Sequence, residues 1–128
     1  MVNSVVTQTI VDGERNVVTK THIVGDGSGE ESDTTLLDVS TFTGTPATVK
    51  IVRIGGYLSG FSASLAWDAT ANVDIVNLPS DDTLGIDAVP YGGLINNTGA
   101  GKTGDILFTT VGLGAGDEGT IILEMKKT

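Results

Sequence analysis

The sequence contains no cysteine, only three prolines and few aromatic side chains, which make up 5% of its 128 residues. The absence of cysteine excludes a disulfide framework, a thiolate metal site and a cysteine nucleophile. No apolar run reaches the ~18–20 residues that a membrane-spanning helix needs. The first residues also lack the basic segment and long apolar segment of a signal peptide. We therefore predict a soluble protein, made in the cytoplasm, with no membrane partner.

Positive charge is also scarce, since 7 Lys and Arg stand against 16 Asp and Glu, for a net charge of −9. A surface this acidic repels phosphate backbones, so we predict no nucleic-acid partner. The length suits one domain, and residues 1–128 are predicted to form it.

Glycine and β-branched residues are abundant, and two runs alternate with a period of two. In residues 61–68 the apolar side chains at Phe61, Ala63, Leu65 and Trp67 share one face. The C-terminal run repeats the pattern at positions 121, 123 and 125. This period marks half-buried strands. With turn signals between about eight short strands, the sequence predicts an all-β fold, an antiparallel β-sandwich of the jelly-roll kind.

The remaining strands are predicted over 5–11, 16–24, 35–39, 48–54, 73–78 and 105–111. Asp12-Gly13 separates the first two and is a common hairpin turn pair. Residues 1–11 form either an extended arm or an edge strand. Gly55-Gly56 is interpreted as a turn signal. Residues 79–104 are predicted to be one long loop, and such loops are often functional.

The stretch Gly99–Thr103 reads GAGKT and resembles the end of a phosphate-binding P-loop. That motif needs a glycine five residues before Gly101, where this chain has Asn96. It also needs a helix after the lysine. Gly104 and the β-branched run that follows predict a strand instead. We therefore predict a glycine turn with Lys102 in solvent, and no nucleotide cofactor.

Other chemistry finds little support in the sequence. Residues 26–33 space carboxylates through a glycine loop, which is either a calcium loop or an acidic solvated hairpin. The single histidine, His22, is predicted on a solvent face beside Lys20. No Gly-x-Ser-x-Gly elbow is present, so we predict that the protein is not an enzyme.

A sugar-binding module remains an alternative, through exposed aromatics at Tyr57 and Tyr91, whereas Trp67 is predicted to be core.

Several segments together carry a family resemblance: residues 12–18 (DGERNVV), 26–33 (DGSGEESD), 37–40 (LDVS), 65–70 (LAWDAT) and the closing strand 121–127. This succession resembles small virion structural proteins of tailed bacteriophages, of the head-decoration or cement kind. The resemblance spans most of the chain and is weakest over 79–104. It implies a β-sandwich on the capsid exterior that stabilises the head. It implies no catalytic residue, metal or cofactor. A phage tail or fibre component is the alternative within the same class.

Decoration bridges neighbouring capsomers, so many modest contacts add up. The implied partners are the major capsid protein and copies of the chain itself, with a trimer as one homo-oligomer. Two segments are candidate interfaces. The N-terminal arm, through Val2, Val5 and Val6, could add a strand to a partner sheet, or it could be an ordinary first strand. The loop around Tyr91 and Leu94 is the second candidate, unless these side chains pack beneath their own loop.

Overall fold

A computed structural model describes residues 3–27, 29–44, 48–81, 83–96 and 98–127. Within these residues the chain forms nine strands and two short 3₁₀ turns, Val39–Thr41 and Val89–Tyr91. The strands are β1 (Ser4–Asp12), β2 (Asn16–Val24), β3 (Thr34–Leu37), β4 (Val49–Ser59), β5 (Ser62–Trp67), β6 (Val73–Leu78), β7 (Thr83–Asp87), β8 (Ile106–Val111) and β9 (Glu118–Lys127). No helix in the described part of the chain is long and apolar enough to cross a membrane.

The strands form two antiparallel sheets that pack face to face. The large sheet has the order β1-β2-β9-β4-β7, and the small sheet has the order β3-β8-β5-β6. The pairs are nested along the chain: β2 with β9, β3 with β8, β4 with β7 and β5 with β6. Successive nested pairs fall in opposite sheets, which is the arrangement of a jelly roll. The predicted fold class is confirmed, with nine strands in place of about eight.

The first hairpin is confirmed, because β1 pairs with β2 through a turn at Gly13. Residues 4–12 are thus an edge strand, and among the described residues β1 pairs with β2 alone. The turn predicted at Gly55-Gly56 is wrong, since β4 runs straight through both residues. Gly56 has a φ of 119°, and a Cβ there would collide with the Thr120 carbonyl oxygen. Its glycine permits a close approach of two strands.

The prediction that residues 79–104 form one long loop is also wrong. It contains β7, the 3₁₀ turn Val89–Tyr91 and a two-way backbone bridge between Ile51 and Leu94. The sequence pattern does not predict the short strand β7, because Gly85 and Asp87 interrupt its apolar residues. The intrinsic β-propensity of these residues is weak evidence for a strand, because β7 forms by pairing with its neighbour β4.

The core lies between the two sheets and draws on every strand except β1 for fully buried side chains. Trp67 and Phe61 are both 1% exposed, so the prediction that Trp67 is core is confirmed. Phe61 stands before β5 and Trp67 ends it, so the two rings close opposite ends of the core. His22 and Lys20 face solvent on β2, as the sequence predicts.

Candidate functional site

The GAGKT stretch is a stabilised turn and not a phosphate loop. The Thr70 amide donates to the Ala100 carbonyl (3.1 Å), and the Thr103 amide donates to the Asp68 carbonyl (3.2 Å). The Thr103 hydroxyl also donates to the Asp68 carboxylate (2.8 Å). The segment that follows is strand β8. Lys102 is exposed and has no ion pair among the described residues.

The carboxylate of Glu30 anchors the acidic loop 26–33 through hydrogen bonds. Glu30 accepts from the amides of Gly112 (2.7 Å) and Leu113 (3.0 Å) and from the Thr110 hydroxyl (2.8 Å). These bonds, led by the Leu113 amide, lower the pKa of Glu30. The loop is not a hairpin, because it joins β2 of the large sheet to β3 of the small one. Within the described chain, no group of three or more His, Asp or Glu side chains is arranged to hold a metal ion.

The two ends of the sandwich differ in charge. Ser59, Glu118 and Val24 lie side by side at one end of the large sheet, and Lys50, Lys126 and Asn16 lie at the other. The first end, which we name the acidic end, carries no Lys or Arg among its described residues. Its carboxylates are Asp26, Glu30, Glu31, Asp33, Asp81, Asp117 and Glu118.

The opposite end, which we name the mixed end, carries both signs. Six of the chain's 7 Lys and Arg lie here. They are Arg15, Lys50, Arg53, Lys102, Lys126 and Lys127; the seventh, Lys20, lies midway along β2. The carboxylates of the mixed end are Asp12, Glu14, Asp38, Asp68, Asp74, Asp87, Asp105 and Glu124. Net charge is therefore concentrated at the acidic end.

Part of the mixed end is internally paired. Lys127 Nζ, with a side chain only 8% exposed, lies 2.6 Å from Asp12 Oδ1. It also donates to the carbonyls of Gly13 and Thr43. The hydrogen bond from Lys127 is the main cause of the lowered pKa of Asp12. Arg53 lies between Asp87 (3.6 Å) and Glu124 (3.5 Å) on the outer face of the large sheet.

A loop at the same end exposes the ring of Tyr91, while hydrogen bonds hold the loop backbone in place. Tyr91 is 82% exposed and Val89 is 48% exposed, at the tip of the 3₁₀ turn. Backbone hydrogen bonds anchor both sides of the loop, from the Ala88 amide to the Val52 carbonyl (2.8 Å) and in both directions between Ile51 and Leu94. The fold thus orders the loop without burying its tip, which reduces the ordering cost of a contact made there.

Two lysines beside this loop face each other without a carboxylate partner. Lys50 and Lys126 occupy directly opposed positions on β4 and β9. Among the described residues neither has an acidic group within ion-pair distance. The loop passes close to the Lys50 side chain, because a Cβ on Gly93 would lie 3.1 Å from Cδ of Lys50. Like charges directly opposed across strands are destabilising. Val89, Tyr91, Lys50 and Lys126 together are named the Tyr91 patch.

The predicted interface residues fall in two separate places. Val6 is exposed on the outer face of β1, Val5 is half-buried against the core, and Val2 lies outside the described residues. Tyr91 is exposed and Leu94 is half-buried against the core. Leu94 therefore packs beneath its loop, whereas Tyr91 points away from the core. The sequence alone does not reveal Lys50 and Lys126, because their opposition depends on the register between β4 and β9.

The two tyrosines considered for sugar binding do not form a cluster. Tyr57 is 45% exposed and lies opposite Thr83, where β7 begins. Tyr91 follows the last residue of β7, Asp87. The length of β7 thus separates the rings. A flat stacking platform built from both residues is not present.

No family model matches the sequence, and no curated protein matches it. Among solved structures, the chain is similar to a cupin superfamily protein from Desulfitobacterium hafniense. The identity is 12%, the alignment covers 99% of this chain and 80% of that one, and the TM-score is 0.33.

Proposed function

We propose that this chain is a structural protein of a tailed-phage virion, a capsid decoration protein that binds the outside of the head and stabilises it. The Tyr91 patch carries this proposal. It combines an aromatic ring and two unneutralised lysines at one end of a chain whose net charge is −9. Tyr is enriched among residues that dominate interface energies. The patch therefore suits attachment to a protein surface that supplies carboxylates.

The charge distribution gives the attachment a direction. The chain binds the shell through its mixed end, where the lysines lie, and its acidic end faces the medium. Carboxylates on the outer surface of every copy then repel those of neighbouring particles, which keeps particles dispersed. Each copy contributes a modest contact, and the many copies on a shell add their effects.

The first test is whether the chain is a stoichiometric component of the particle. Virions of the phage that encodes it are purified on a density gradient and their proteins are quantified by mass spectrometry. We expect a copy number comparable with that of the major capsid protein, and a reconstruction that places the chain on the outer head surface. Its absence from purified particles would contradict the proposal. Density on the tail or fibres would support the tail-component alternative.

The second test examines the patch on particles that lack the chain. Recombinant protein is added back, and its apparent affinity is measured for Tyr91→Ala and for Lys50→Glu with Lys126→Glu. We expect each change to weaken binding at least about tenfold, as loss of an interface anchor does. Binding should also weaken as salt rises. The matched control is Lys102→Glu, an exposed lysine of the same end in a different loop. Equal loss in the control would contradict the role of the patch.

A further inference from the structure

The long edge strand β1 lacks the features that normally prevent edge-to-edge pairing. The other three sheet edges are short or charged: β3 has 4 residues, β7 has 5 and ends at Asp87, and β6 carries exposed Asp74. By contrast β1 has 9 residues, and no charge or proline precedes Asp12. Natural sheets usually block such an edge with charges, proline or bulges. The one bulge of β1, between Thr9 and Val11, leaves Ser4 to Thr9 in regular register.

Within the described residues, most side chains of β1 are exposed on both faces, although Val5 is half-buried against the core. On the outer side Val6 is 53% exposed, and around the bulge Ile10 is 55% and Val11 45% exposed. On the inner side Thr7 and Thr9 are exposed above a cleft of about 530 Å³ between β1 and the segment 34–42. Among the described residues, the Thr7 hydroxyl donates a hydrogen bond to the Leu36 carbonyl (3.2 Å), which links β1 to β3. In the described part of the chain, β1 therefore has one edge without a partner strand and exposed side chains on both of its faces.

The charge of this region identifies the partner. Residues 4–11 and 16–24, which form nearly all of β1 and β2, contain no Asp or Glu, although the chain has 16. Two copies with a net charge of −9 repel each other over most of their surfaces. They can approach most easily where carboxylates are missing. An uncharged strand paired with its own antiparallel copy also introduces no like-charge contact between the paired residues.

We propose that β1 pairs antiparallel with β1 of a second copy, so that two large sheets join into one continuous sheet about a two-fold axis. Such an interface is isologous and uses the same edge on both chains. It closes at two copies and leaves neither β1 edge free. The proposal concerns a surface distinct from the Tyr91 patch and does not depend on the proposed function.

Sedimentation velocity of the purified chain tests the proposal. We expect a dimer at concentrations on the order of 10–100 µM. The dimer should strengthen as salt is raised to about 0.5 M, because salt screens the repulsion between acidic copies. A chain that remains monomeric up to about 1 mM would overturn the proposal. So would a trimer or an open-ended series of oligomers, because isologous pairing of one edge produces neither.

A matched pair of variants locates the contact. Val6→Lys places a charge on the outer face of β1, and Val111→Lys places one at the exposed last residue of β8, which is 67% exposed. We expect Val6→Lys to weaken the dimer at least about tenfold and Val111→Lys to change it less than about threefold. Native Trp67 fluorescence and urea unfolding verify that both variants are folded. A dimer weakened by Val111→Lys and not by Val6→Lys would overturn the assignment of the edge.

Hydrogen exchange supplies a readout that does not depend on substitution. Amides of residues 4–9 that point away from β2 exchange freely in a monomer and become bonded in the paired sheet. We expect their protection to rise with protein concentration, while the amides of β7 stay unchanged. Protection of β1 that does not depend on concentration would contradict pairing between copies.

Discussion

The acidic end and the mixed end of the sandwich differ in how their charged side chains are partnered. At the acidic end they accept from backbone amides of glycine-rich loops: Glu30 binds the 112–113 amides, Asp117 binds Gly114 and Asp81 binds Gly60. At the mixed end carboxylates also accept from backbone amides, as Asp105 does from Val39, and Asp12 and Arg53 take part in ion pairs. Among the described residues Lys50, Lys102 and Lys126 have no ion pair. Carboxylates therefore hold loop amides at both ends, whereas, of the two ends, only the mixed end carries Lys and Arg among its described residues.

The largest expected effect concerns the aromatic residue that closes each end of the core. Trp67→Ala at the mixed end and Phe61→Ala at the acidic end should each lower the free energy of unfolding by about 3–5 kcal/mol, because both side chains are fully buried. Urea unfolding monitored by far-UV circular dichroism measures both. A loss below about 1 kcal/mol in either variant would show that the corresponding end of the core is not close-packed.

Close backbone contacts at the acidic end should give the next largest effect. A Cβ on Gly25 would collide with the Gly114 carbonyl oxygen and lie 2.9 Å from Leu113 Cδ1. Gly25→Ala should therefore cost about 1–3 kcal/mol of stability, as overpacking does. The control is Gly85→Ala on β7, where a Cβ meets nothing within 4 Å. Equal thermal stability of the two variants would contradict the tight packing of the glycine loops.

A smaller effect separates stability from binding at the mixed end. Lys126→Glu replaces a like-charge pair with Lys50 by an opposite-charge pair, so the folded chain should gain about 0.2–1 kcal/mol. The same variant should bind decoration-free particles more weakly. Thermal unfolding and particle binding are measured on the same preparation. A variant that is both less stable and unchanged in binding would show that the lysines are placed for the fold and not for a partner.

The smallest effects are expected from pH. Bonds led by the Leu113 amide lower the pKa of Glu30, so its stabilisation is complete above the ordinary glutamate pKa and is lost as pH falls through the lower folded value. Burial raises the pKa of Asp105, opposed by the Val39 amide and reinforced by Asp38 and Asp68. Its favourable contribution is present below the ordinary aspartate pKa and is lost as pH rises through the folded value.

Two neutral substitutions should therefore act in opposite directions at pH 7. Glu30→Gln should lower the melting temperature, because a neutral amide accepts more weakly from the Gly112 and Leu113 amides. Asp105→Asn should raise it, because Asn keeps the bond from the Val39 amide and removes a charge that burial disfavours. Both differences should shrink toward pH 3. The same sign for both variants at pH 7 would remove the electrostatic distinction between these two carboxylates.

The sequence predicts the strands with clear alternation well, and the structure shows why the others are harder. Residues 61–67 and 121–125 alternate between apolar side chains on a buried face and mostly half-buried side chains on the other, so their period is visible. Gly55-Gly56 reads as a turn because sequence statistics do not distinguish a glycine that ends a strand from one that lets two strands approach. The strand β7 is defined by pairing with β4, which no local pattern records.

The candidate sites also differ in how much of each one the sequence reveals. Tyr91 could be selected from the sequence as an aromatic residue in a polar segment, and its exposure confirms that it is not core. Lys50 and Lys126, however, are 76 positions apart in the chain and become neighbours only through the register of β4 and β9. Likewise, the uncharged composition of residues 4–11 is visible in the sequence, but its placement at a free sheet edge is not.

By itself the sequence determines the all-β class, the low number of cations and the absence of cysteine chemistry, because composition and the two-residue period are local properties. The tertiary structure alone decides which strands are edges, which charges face each other and which end of the sandwich keeps unneutralised lysines. Those features depend on pairing between distant segments, and pairing is selected by the burial of the whole core and not by any single stretch.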